Sequence, residues 1–309
     1  MPIDPELRDY LAAVAAAVPP IATPTPAARR ARMEQIARRF PFPADQVARR
    51  DHSLNVPGRE IFMRIYRPRS GRLPAILYLH GGGWVAGSVS THDGICAALA
   101  KDADAVVVSV QYRLAPEDPF PAPNDDAYAA LQWLRDSAGH LDIDASRIAL
   151  AGDSAGAHIA LGAAIEARDR GGPHIALQVL FYPVVAPNFE TPSYLEHAGS
   201  TLTRADMIEY WDHYLPADRT QVDHRALPLR APLHGLPATH VVVAGLDPLH
   251  DEGVTLVEEL RRQGVAAMLV DEPTLVHGFL RASPFVRRAR EALVATALAA
   301  GQALRRLDH

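Results

Sequence analysis

From Leu73 onward, short apolar runs alternate with helical patterns, which leaves few folds open to this chain. Ala75–Leu79, Ala105–Gln111, Ile148–Ala151, Ala176–Phe181, Thr239–Ala244 and Ala266–Val270 read as strands. Several of them, such as Ala105–Val110, broken by Ser109 alone, and Val241–Ala244, are almost wholly apolar, as strands covered on both faces are. Between and after them, Thr91–Asp102, Asp125–Ser137, Ala155–Arg168, Asp251–Gln263 and Val286–Leu307 read as helices. Tyr128, Leu131 and Leu134 show the three-residue spacing of a helix face. Strands separated by helices of this length imply a mostly parallel sheet with helices on both faces, an α/β fold. Arg59–Arg67 alternates polar and apolar, as a half-exposed strand does. With 309 residues, 48% of them hydrophobic, the chain can fill one large core.

Two segments break the alternation. The first, residues 1–42, has a helical pattern, a proline-rich break at Pro19–Pro26 and a second helical pattern. The second, residues 184–237, is rich in proline and aromatics around a helix expected at Arg204–Tyr214. Ligands in an α/β sheet bind beyond the carboxyl ends of the strands, where an insertion after Ala176–Phe181 emerges. The expectation is therefore a cap built from 1–42 and 184–237 over a core of 43–183 and 238–309. In the insertion, Met207, Tyr210, Trp211 and Tyr214 share one helix face that must be buried, either on the core or over a substrate. The apolar stretch Leu11–Val18 offers a second surface for such a pocket.

Composition narrows the function classes. The net charge of −5 and the scattered basic residues carry no nucleic-acid footprint. The basic segment Ala28–Phe40 places Met33, Ile36 and Phe40 at spacings of three and four, which reads as one buried stripe rather than a membrane-binding face. Leu11–Val18 is too short for a membrane span, and the acidic start MPIDPELRDYL lacks the basic opening of a secretory signal. A cytoplasmic protein without membrane partners is expected. Cys96 is the one cysteine, so no internal disulfide can form, and its apolar surroundings read as core. No His-Glu-x-x-His or Cys/His cluster suggests a metal.

Gly152-Asp153-Ser154-Ala155-Gly156 is a Gly-x-Ser-x-Gly pentapeptide between a short strand and an alanine-rich helix. In that setting the serine sits on a strained turn, and the flanking glycines let strand and helix pass closely. Ser154 then projects at a helix N-terminus, whose dipole favours developing negative charge. His80-Gly81-Gly82-Gly83-Trp84 follows the strand Ala75–Leu79, and consecutive glycines leave backbone N–H groups free to hold an oxyanion. It lacks the Lys-Ser/Thr of a phosphate loop.

A serine needs a base to take its proton, and the base needs an acid to orient it. Asp247 and His277 both follow strands, on the same side of the sheet as Ser154 and in the order Ser, Asp, His. Asp251 and Glu252 lie where the next helix begins, a position acidic residues favour for the dipole alone. Of the 14 histidines, His174, His197, His213, His224 and His234 fall in polar or cap segments. His158 lies one turn into the helix after Ser154, and His250 is too close in sequence to Asp247 to be its partner.

The motifs together resemble the hormone-sensitive-lipase family of bacterial esterases, within the α/β-hydrolase superfamily. The matching elements are HGGGW (His80–Trp84), YRLAPE (Tyr112–Glu117) with FPAPNDD (Phe120–Asp126), GDSAG (Gly152–Gly156), DPLHDEG (Asp247–Gly253) and HGF (His277–Phe279), in family order. The resemblance implies a Ser154–His277–Asp247 triad and oxyanion donors from the backbone of Gly82, Gly83 and Ala155. It implies a cap over the site and a bracing role for YRLAPE. Trp84, Met207 and Trp211 are expected to line the substrate space. The expected function is a cofactor-free carboxylesterase for short- to medium-chain acyl esters, with a small-molecule ester as its partner, acting as a monomer or homodimer. An amidase or a deacetylase of a small metabolite would share every catalytic residue. A non-catalytic receptor on this fold would lack the histidine.

Overall fold

The computed structural model describes residues 2–22, 24–197, 201–218 and 222–306. Eight strands among them form one sheet in the order β1-β2-β4-β3-β5-β6-β7-β8. They are β1 (Ala48–Val56), β2 (Arg59–Arg67), β3 (Leu73–Leu79), β4 (Val106–Val110), β5 (Ile143–Asp153), β6 (Leu177–Phe181), β7 (Ala238–Leu246) and β8 (Ala267–Val276). The β1–β2 and β2–β4 pairs are antiparallel, and every later pair is parallel. The expected α/β class and mostly parallel sheet are therefore observed. Every residue of β3, β4 and β6 is buried, as their largely apolar sequences require, with Ser109 and Gln178 as buried polar exceptions.

Successive side chains feed two core layers, one on each face. Val241 and Val243 pack with one layer, Val242 and Ala244 with the other. The first layer takes α4 (Ala122–Asp136), α5 (Ala155–Asp169) and α8 (His250–Arg262). The second takes α3 (Asp93–Ala103) and α9 (Arg287–Arg305). The expected helix end at Leu307 lies outside the described residues.

The N-terminal segment carries α1 (Pro5–Ala17) and α2 (Pro26–Arg39), each opened by a side-chain cap from Asp4 or Thr25 and a proline in the first turn. Leu7 of α1 is buried in the α3/α9 layer, and Asp4 N–H donates to Thr274 O at 3.0 Å. The stripe Met33, Ile36, Phe40 of α2 is only half-buried, contrary to the expectation from its spacing. The reason is that α2 lies as an outer layer, with Phe40 meeting Tyr10 and Phe285 edge-on, and is held largely by polar contacts.

The insertion carries α6 (Pro192–Glu196) and α7 (Arg204–Tyr214), the second begun by a capping box between Thr203 and Asp206. Met207, Trp211 and Tyr214 of α7 are fully buried in the first layer, as its spacing requires, while Tyr210 is half-buried at the edge.

Candidate active site

The turn from β5 to α5 places Ser154 at φ 56°, ψ −123°, outside the regions an L-residue prefers. Its flanking glycines are required by contact. A Cβ on Gly152 would lie 2.5 Å from the Gly156 carbonyl carbon, and one on Gly156 would overlap the carbonyls of Leu79 and His80. Strand β3, the elbow and α5 therefore pass at backbone distance.

His277 directly follows β8, and Asp247 directly follows β7. His277 Nε2 lies 2.9 Å from Ser154 Oγ, and its Nδ1 lies 2.7 Å from Asp247 Oδ2. A carboxylate only accepts hydrogen bonds, so Nδ1 carries the proton and Nε2 keeps its lone pair for the serine hydroxyl. Asp247 is fully buried and its other oxygen accepts the Leu249 N–H at 2.9 Å, so the carboxylate cannot rotate away. Three side chains far apart in sequence therefore lie each within hydrogen-bond distance of the next.

The neighbouring carboxylates do something else. Glu252 accepts the Val185 and Ala186 N–H groups at 2.6 and 3.0 Å and the Tyr194 hydroxyl at 2.9 Å. Asp251 accepts the Ser193 N–H at 3.0 Å. Both tie the start of the insertion to α8. Burial pushes the Glu252 carboxyl up to about 7, against those three donors and with help from the Asp247 charge.

The glycine loop after β3 lies beside the elbow. Gly81 turns its N–H to Asp153 Oδ1 at 2.8 Å, while the N–H groups of Gly82, Gly83 and Ala155 donate to no protein oxygen among the described residues. Gly82 and Gly83 have φ of +136° and +61°, and a Cβ on Gly83 would lie 2.5 Å from the Tyr210 ring. The loop is braced from behind by the YRLAPE segment. Tyr112 donates its hydroxyl to His80 O at 2.6 Å and stacks on the His80 ring, and Ala115 N–H donates to Trp84 O at 2.9 Å.

Asp153 was not singled out by its sequence, yet it is a fully buried hub. Beyond Gly81 it accepts the Tyr78 hydroxyl at 2.7 Å and lies 3.4 Å from His92 Nε2. Burial alone would raise its carboxyl, but His92, Arg281 and Tyr78 hold it well below the usual carboxylate range. The one available signal is an acid closing an otherwise apolar strand, Ile148–Asp153.

Trp84, Met207 and Trp211 come together, but as a buried cluster. Trp84 stacks on Tyr214 with ring centres 4.3 Å apart and lies 4.7 Å from Trp211. Trp84 Nε1 donates to His158 Nδ1 at 3.3 Å, leaving His158 Nε2–H for Ala226 O at 3.0 Å. Burial pushes the His158 pKa down to about 4, so this ring stays neutral as a core residue. Trp84 itself has no exposed surface, so its indole packs under α7 rather than facing an open cleft.

The polar bridge to α7 comes from α2, rather than from the Leu11–Val18 stretch. Arg29 donates to Asp206 and Glu209 at 2.9 and 2.7 Å and to the Tyr210 hydroxyl at 3.0 Å. Arg30 reaches Val85 O and Glu117, and Glu34 accepts the Ser88 hydroxyl at 2.6 Å. The N-terminal helix, the insertion helix and the glycine loop therefore meet at one place. Among the described residues no cluster of three or more His, Cys, Asp or Glu could hold a metal, and no helix is long and apolar enough to cross a membrane.

Residues 76–281 match the model of a family described as having the alpha/beta hydrolase fold. The carboxylesterase NlhH of Mycobacterium tuberculosis is 42% identical over 240 residues, 75% of each chain. The chain belongs to the hormone-sensitive-lipase-like carboxylesterases of the α/β-hydrolase fold. It is accordingly a carboxylic ester hydrolase. The ethyl acetate hydrolase of Pseudomonas putida is 39% identical over 249 residues, 77% of each chain. A solved hyperthermophilic esterase from Pyrobaculum calidifontis superposes with a TM-score of 0.89 at 38% identity, covering 98% of this chain and 99% of that one. The likeness to the Pyrobaculum esterase thus extends over nearly the whole chain, beyond the residues 76–281 that match the family model.

Proposed function

We propose that this carboxylesterase works through a seryl acyl-enzyme and acts on short- to medium-chain acyl esters. The observation that carries the reading is the unbroken line Ser154 Oγ–His277 Nε2 at 2.9 Å and His277 Nδ1–Asp247 Oδ2 at 2.7 Å, beside three N–H groups that donate to no protein oxygen among the described residues. Ser154 Oγ attacks the ester carbonyl carbon as His277 Nε2 takes its proton. The oxygen that becomes negative is held by the N–H groups of Gly82, Gly83 and Ala155. His277 then gives the proton to the departing alcohol oxygen, leaving the acyl group on Ser154. Water repeats the sequence, with His277 again as base, and releases the acid. Asp247 keeps Nδ1 protonated and stabilises the imidazolium.

Residues 1–42 and 184–237 form the cap in this reading. Support comes from Arg29, which joins α2 to α7 where Tyr210 covers Gly83. Met207 and Trp211, through the buried cluster with Trp84, set the depth of the acyl space. A closed apolar space gains about 0.8 kcal/mol per methylene until it is full. On a series of p-nitrophenyl esters, kcat/KM should therefore rise to an optimum at about four to eight acyl carbons and fall beyond it. A profile that keeps rising past that length contradicts the closed pocket.

A further inference from the structure

A cavity lies away from Ser154, His277 and Asp247. Its volume is about 450 Å³, and none of Ser154, Asp247, His277, Gly82 or Gly83 lines it. It opens between the end of α2, α1 and the start of α3, with Tyr10, Ile36, Phe40 and Phe42 forming an apolar wall. Two arginines and two aspartates also line it, Arg49, Arg281, Asp45 and Asp93, and Asp93 is further paired with Arg64 at 3.1 Å. Arg49 is already paired with Asp45 and Asp93, at 2.7 and 3.0 Å. Arg281 is different: it is half-buried, and its contacts among the described residues are Met33 Sδ at 3.4 Å and His92 Nε2 at 3.2 Å, both from Nη2. No carboxylate among the described residues reaches it within 4.0 Å, although its charge also acts on the buried Asp153 carboxyl, which lies 3.4 Å from His92 Nε2. An apolar wall beside a guanidinium that makes no direct ion pair among the described residues fits an amphipathic anion, and a guanidinium edge fits a carboxylate in particular.

We infer that this cavity is a binding site for a short alkanoic acid, its carboxylate on Arg281 and its chain against Tyr10, Ile36 and Phe40. The choice of acid rests on the ester-hydrolase reading, because this is the class of product that such an enzyme releases. The site also touches the catalytic machinery. Arg281 Nη2 contacts His92, His92 Nε2 lies 3.4 Å from Asp153 Oδ1, and the same oxygen holds the Gly81 N–H of the glycine loop. An acid bound at Arg281 is thus three contacts from the loop proposed to stabilise the oxyanion.

The test is photolabelling of the intact enzyme with a diazirine-bearing analogue of hexanoic acid, followed by peptide mapping. Label is expected in the segment Phe40–Arg49, suppressed by excess hexanoate but not by hexanol, which lacks the charge. Arg281→Gln should lower labelling there at least tenfold. Ala37→Trp, at a partly exposed helix position that lines the apolar wall, should do the same by filling the space, and it keeps the test available if the arginine variant folds poorly. Label confined to the glycine loop and the Ser154 peptide would place the acid in the catalytic site alone and overturn the inference. Labelling of Phe40–Arg49 that is unchanged in Arg281→Gln, or equally suppressed by hexanol, would overturn it too. Loss of esterase activity is a separate readout, so a failure of the catalytic reading is not confused with a failure of this one.

Discussion

Gly81 donates its N–H to Asp153 Oδ1 at 2.8 Å, so the glycine loop is fastened to the residue that immediately precedes Ser154. The bond engages the first of three consecutive glycine N–H groups, while the next two donate to no protein oxygen among the described residues. Asp153→Ala would strand the buried Gly81 N–H and Tyr78 hydroxyl, each costing about 1–3 kcal/mol. The melting temperature should fall by about 5 °C or more. Because the donors shift with the loop, kcat on a short ester should drop about tenfold to a hundredfold, with KM changing less. A variant with normal kcat would show that the loop holds its place without Asp153.

The acid of the triad can be separated from its neighbours. Asp247→Asn removes the acceptor that fixes the His277 tautomer, and kcat should fall on the order of 10⁴-fold. Asp251→Asn touches the tether to Ser193 and the contact with His250 Nδ1 at 3.2 Å, and should leave kcat within about tenfold, the ordinary range for lost peripheral hydrogen bonds. Steady-state kinetics on both variants decide the point; the reverse ranking would move the acid to Asp251.

Glu252 makes stability depend on pH. Its pKa is raised from the ordinary 4.5 to about 7 by burial, so the folded state holds that proton more tightly than the unfolded chain does. The sign follows: this contribution is complete below about 4.5 and is lost as pH rises through about 7. Over that window the loss is on the order of 3 kcal/mol. Urea unfolding at several pH values should show this decline in the wild type and a shallower one in Glu252→Gln, which keeps a carbonyl for the Val185 and Ala186 N–H groups. Identical slopes in the two proteins would remove Glu252 as the cause.

Arg29 is the clearest handle on the proposed cap. Arg29→Leu keeps much of the side-chain bulk but loses the bonds to Asp206, Glu209 and Tyr210. If α2 and α7 together bound the acyl space, the chain-length optimum should broaden, with activity on the longest esters rising relative to butanoate. Reaction with a small organophosphate should stay within about threefold, since reagents that do not fill the pocket gain nothing from its walls. An unchanged profile would detach α2 from substrate selection.

The sheet and the elbow are legible because their causes are local. Residues covered on both faces must be apolar in sequence, as in β3 and β4, and close passage of backbones demands glycine at Gly152 and Gly156 themselves. Strand β1 is different. Ala48–Val56 is largely exposed and polar, and only its register with β2, from Ala48 opposite Arg67 to Val56 opposite Arg59, makes it a strand. The pairing partner, not the composition, carries that information.

The candidate site divides the same way. Ser154, Asp247 and His277 each follow a strand, so strand assignment alone predicts that they converge. The hub at Asp153 draws on Tyr78 from β3, His92 before α3 and Gly81 from the glycine loop, and no pattern near Asp153 announces those partners. The half-buried face of α2 misled for a related reason. Helical spacing gives a direction for an apolar stripe but not how much protein lies above it.

The central claim is that Ser154 is the nucleophile, and covalent capture tests it most directly. A fluorophosphonate incubated with the wild-type enzyme should add one phosphonyl group, mapped by peptide mass spectrometry to the segment containing Ser154, in step with loss of esterase activity. Ser154→Ala should take up no label, remain folded by circular dichroism and lose on the order of 10⁴-fold or more in kcat. Labelling at another serine, or an alanine variant that retains wild-type turnover, would contradict the account.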